Sequence, residues 1–72
     1  MIEKCKVKLD ESDLENSKAI LLRLNNMYSQ WTDTDAKVTS DVADGINESK
    51  TVEAMITLFD NYFGEYVELI MV

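Results

Sequence analysis

Glu3-Lys4-Cys5-Lys6-Val7-Lys8-Leu9 and Tyr66-Val67-Glu68-Leu69-Ile70-Met71-Val72 decide the fold class of this chain. In the first stretch Cys5, Val7 and Leu9 alternate with Lys4, Lys6 and Lys8. That is the period of a strand with one buried face, and it places Cys5 inward as a buried thiol. The lysine row also guards an exposed edge against stray pairing. The second stretch is nearly continuous in its apolar character and reads as a buried strand.

Between them lie helical signals. Ser12-Asp13-Leu14-Glu15 reads as a capping box, with the Ser12 hydroxyl and the Glu15 carboxylate satisfying the free amides of a helix start. Leu14, Leu21, Leu24, Tyr28 and Trp31 follow at helical spacing, flanked by Ile20 and Met27, which predicts a helix over residues 13–30. A second helix is capped by Ser49, carries Val52, Met55, Ile56, Phe59, Tyr62 and Phe63 as its stripe, and ends at a left-handed Gly64. Residues 32–49 are polar, and 36–42 reads as a short extended segment or a helical turn, with the extended form preferred. The expected fold is α+β: one domain over residues 1–72, with a short antiparallel sheet of the first and last strands and two amphipathic helices on one face.

A chain of 72 residues buries only a modest core. Chains of this size commonly lean on a disulfide, a metal or a second subunit. One cysteine excludes an internal disulfide, and one cysteine without histidine cannot fill a zinc site. A homodimer is therefore the expected supplement. The lone cysteine and the lack of an apolar run of leader length at the start point to the cytoplasm, here of a bacterial host. The longest apolar run, Leu69 to Val72, is too short to span a bilayer.

The net charge of −7 is unevenly distributed. Over residues 1–23, Glu3, Asp10, Glu11, Asp13 and Glu15 balance Lys4, Lys6, Lys8, Lys18 and Arg23. Beyond them, Asp33, Asp35, Asp41, Asp44, Glu48, Glu53, Asp60, Glu65 and Glu68 face only Lys37 and Lys50. Such a surface repels phosphate and anionic membranes and attracts basic protein surfaces.

Little chemistry is available. Without histidine there is no Ser-His or Cys-His couple, and no enzyme is expected. Asp33-x-Asp35 opens like a calcium loop, but Lys37 takes a ligand position, Val38 takes the place of the turn glycine and Asp44 would close the loop in place of Glu. No metal or cofactor is expected. The segment Glu48-Ser49 to Phe63-Gly64 resembles the phosphopantetheine helix of acyl and peptidyl carrier proteins, which implies an arm on Ser49. The segment from Asp41-Val42-Ala43 to Val52-Glu53-Ala54 resembles a helix–turn–helix with Ile46 and Ser49 in the turn. With Lys50 the only base near the supposed reading helix, that likeness implies a repressor protein as partner in place of DNA. An antirepressor of this kind would dock through apolar contacts, with Trp31, Tyr62 and Tyr66 as anchors.

In size, charge and lack of catalytic residues the chain is similar to small phage-encoded inhibitors that mimic DNA: anti-CRISPR proteins and host-takeover proteins that block the nucleoid protein HU. That likeness implies carboxylates standing in for phosphates against a basic nucleic-acid-binding protein. The residues expected to bind the partner are Asp33, Asp35, Asp41, Asp44 and Glu48 in the polar segment, with Asp60, Glu65 and Glu68 elsewhere. Direct nucleic-acid or membrane binding is not expected.

Overall fold

The computed structural model describes residues 5–72. The expected start of the first strand at Glu3 and Lys4 lies outside the described residues. The order of elements is β1 (Cys5–Leu9), α1 (Leu14–Trp31), α2 (Ala36–Glu48), α3 (Val52–Phe63) and β2 (Val67–Met71). The class is α+β, but among the described residues the sheet is parallel and the helices number three.

Both corrections have one origin. Residues 36–48 form a helix where an extended segment was expected. Val38, Val42 and Ile46 recur every fourth residue, which gives a helix an unbroken inner stripe; on a strand the polar Ser40 and Asp44 would fall between them on the same face. Asp35 caps this helix, its carboxylate accepting a hydrogen bond from the Lys37 amide (2.8 Å). The additional helical pass reverses the chain once more. With α2 in place, α3 runs alongside α1 and delivers β2 to the end where β1 begins. Cys5 pairs with Val67 and Leu9 with Met71, and the Cys5 amide donates to the Tyr66 carbonyl at 3.2 Å.

The capping assignments also shift. Asp13, not Ser12, caps α1 and accepts from the Asn16 amide at 3.1 Å. The Ser12 hydroxyl and amide instead donate to the Asp10 carboxylate (2.7 and 2.9 Å), which holds that carboxyl below the usual range. Thr51 caps α3, accepting from the Ala54 amide at 3.1 Å. Ser49 ends α2, its hydroxyl donating to the Gly45 carbonyl at 2.7 Å. Gly64 is right-handed (φ −61°), so it does not serve as a left-handed cap. A Cβ there would collide with the Asp60 carbonyl and carboxylate, so close approach is what requires the glycine.

The core gathers one face of each element: Leu9, Leu21, Tyr28, Val42, Ile46, Val52, Met55, Phe59, Phe63 and Val67. The helices cover the sheet mainly through α3 against β2. Cys5 shares the inward side of β1 by alternation yet is exposed, against expectation, because the helix cover favours β2 and leaves the start of β1 open. The opposite face of the sheet carries Lys6, Lys8, Glu68 and Ile70.

Candidate acidic interaction surface

Helix α2 lies against both α1 and α3 and buries Val42 and Ile46 between them. Asp41, Asp44 and Glu48 fall at i, i+3 and i+7 on the opposite, exposed side. At 1.5 Å per residue they form a row about 10 Å long. Lys37 stands one turn before Asp41 on the same face and is the only base in the helix. Asp35 caps the helix start, and Asp33 sits in the connection from α1, both exposed. Thus the structure brings five of the expected partner-binding residues onto α2 and its leading turn.

The other three are elsewhere. Asp60 and Glu65 come together with Tyr62 and Gly64 around a shallow recess of about 420 Å³ at the end of α3. Glu68 is on the open sheet face, in register with Lys6, so its charge is interleaved with bases.

The α2 row is placed against the electrostatics of its own helix. The C-terminal end of a helix carries partial negative charge and favours cations. Here the last turn has no base, and Asp44 and Glu48 are like charges four residues apart. Relief comes from α1, whose Lys18 ammonium donates to the Asn47 carbonyl at 3.0 Å.

Beside this row runs a groove of about 510 Å³ between α1 and the first half of α2. Asn26, Ser29, Gln30 and Asp33 line one wall, and Thr39 and Ser40 the other. The backbone around Asp33 is special: α1 ends in a six-residue loop in which the Thr34 amide donates to the Ser29 carbonyl (2.8 Å) and the Asp33 amide to the Gln30 carbonyl (3.4 Å). This is the Schellman arrangement, and Asp33 takes the left-handed position (φ 56°) usually held by glycine. Of the groove residues only Asp33 was expected to bind a partner, because the other polar side chains carry no charge signal.

Aromatic residues form a separate surface. Trp31 is 71% exposed and packs on Tyr66 (5.9 Å between ring centres) and Tyr28 (6.0 Å). Tyr62 is exposed on α3. Among the described residues no group of three or more His, Cys, Asp or Glu could hold a metal ion, and no helix is long and apolar enough to cross a membrane. Residues 41–54, read as a helix–turn–helix, fall on α2 and α3 joined by residues 49–51, but Ile46, expected in the turn with Ser49, is buried within α2. Comparison with known protein families, curated proteins and solved structures finds no match.

Proposed function

We propose that this chain is a binding protein whose acidic α2 face occupies the nucleic-acid-binding surface of a basic partner protein. The observation that carries this reading is the row of Asp41, Asp44 and Glu48 on one exposed helix face, with Glu48 in the last turn, where the helix dipole disfavours an acid and Asp44 repels it. Acids that merely kept the chain soluble would have no reason to gather at that end. Asp33 and Asp35, in the connection from α1 and at the helix cap, add two exposed carboxylates ahead of the row. A rigid row of carboxylates meets Lys and Arg side chains as phosphates do, steers encounter, and fixes register.

The test uses wild-type protein and the Asp41→Lys/Asp44→Lys double variant as baits in bacterial lysate, followed by calorimetry with the partner identified by mass spectrometry. The expected outcome is a nucleic-acid-binding protein captured by the wild type alone, with affinity falling at least tenfold between about 50 and 200 mM salt. Equal capture by both baits would remove the basis for the reading.

A second reading is favoured by the Trp31–Tyr66 pair: a regulator docking through an aromatic anchor. That interface would persist at high salt and be lost in Trp31→Ala, which leaves the α2 row intact.

A further inference from the structure

We propose that the groove between α1 and α2 is a receptor for one arginine side chain of the basic partner. The inference rests on the reading above and adds the chemistry of the partner's leading residue.

Two buried oxygens have no partner among the described residues, one on a residue of the groove's α1 wall and one behind it. Ser29 lines it, is only 6% exposed, and its Oγ has no hydrogen-bond partner. A helical serine normally donates to the carbonyl one turn back, and this one does not. One turn earlier on α1, the fully buried Asn25 donates its Nδ2 to the Thr39 carbonyl (3.0 Å), leaving Oδ1 without a donor. Buried polar atoms left unpaired are costly and uncommon. Asn25 Oδ1 lacks a donor, and the Ser29 hydroxyl, which can both donate and accept, lacks any partner.

At the groove wall the left-handed turn holds the exposed carboxylate of Asp33, so the donor that fits is also a cation. A guanidinium supplies five N–H groups from one flat, weakly hydrated plane. An ammonium is a compact, strongly hydrated point charge and pairs less well with a carboxylate beside a neutral hydroxyl. The groove volume of about 510 Å³ accommodates the guanidinium with its methylene stem. Ser40 of the groove directly precedes Asp41 of the acidic row, so an arginine seated here leaves its neighbours in the partner over the carboxylates of α2.

The experiment is an amide NMR titration of the full chain with N-acetyl-arginine amide, and in parallel with N-acetyl-lysine amide. Saturable shifts confined to Ser29, Asp33, Thr34, Thr39 and Ser40 are expected, with the lysine compound at least tenfold weaker. Ser29→Ala and Asp33→Asn should each weaken binding fivefold or more. Ser29→Ala deletes an unpartnered buried hydroxyl, so its melting temperature should be unchanged or higher, which separates lost binding from lost folding. Shifts that spread over all acidic positions without saturating, equal response to lysine, or an unaffected Ser29→Ala variant would each overturn the proposal. The Asp41→Lys/Asp44→Lys variant keeps the groove and should still bind N-acetyl-arginine amide. If the wild type captures a basic partner but the titration fails, the groove assignment falls alone. If the titration succeeds and no basic partner is captured, the functional reading falls alone.

Discussion

At the scale of single residues, Asp33 and Tyr28 hold the most consequential side chains. Asp33 occupies a left-handed backbone position (φ 56°) that glycine adopts without steric penalty. Asp33→Gly should therefore raise stability by about 0.5–1 kcal/mol in urea unfolding while weakening N-acetyl-arginine amide binding. Tyr28 is buried under the aromatic cluster, and that burial, with Cys5 nearby, pushes its hydroxyl above the ordinary value of 10.0. Its neutral form is the one the fold accommodates. Stability from this residue is present below pH 10 and is lost as pH climbs through the raised value. Tyr28→Phe should show a smaller loss of melting temperature than the wild type between about pH 9 and 11.5, a window bracketing the ordinary tyrosine value. Capping shows what one residue's chemistry leaves open. Ser49 and Thr51 are both capable caps. Which one closes α3 depends on where α2 stops, and Ser49 turns back to the Gly45 carbonyl.

At the scale of elements, α2 is where sequence reading and structure part. Its apolar stripe is Val38, Val42 and Ile46 alone, set among polar and small residues, so the helical period is faint. Gly45, a poor helix former, lowers the signal further. In the fold that glycine has a purpose: a Cβ there would meet the Leu58 side chain of α3, so its absence lets the two helices close. The helix is therefore held by its neighbours more than by its own propensity. Its outer charges make a measurable prediction. Glu48→Lys replaces an acid at the negative end of the helix and ends the repulsion with Asp44. Thermal unfolding should show a gain of about 0.5–1 kcal/mol, accompanied by weaker capture of the basic partner. Stability and binding moving in opposite directions is the signature of acids retained for recognition.

At the scale of the whole molecule, the fold is a thin slab, 32 × 30 × 16 Å, with a single core. Phe59 is fully buried at its centre and touches the rings of Tyr28 and Phe63. Phe59→Ala should cost about 3–5 kcal/mol, a large share of what so small a domain possesses, and leave the chain largely unfolded at 37 °C by circular dichroism. The sequence alone determined what local periodicity and composition can carry: α1, α3 and both strands, the lack of a Ser-His or Cys-His couple, and the excess of acid after residue 23. Only the tertiary structure decided the third helix, and through it the parallel sheet, because the number of reversals between β1 and β2 sets their relative direction. It also decided which carboxylates share a face. Charge is counted along the chain, but a surface is built by the helix that turns Asp41, Asp44 and Glu48 to one side and by the neighbours that bury the other.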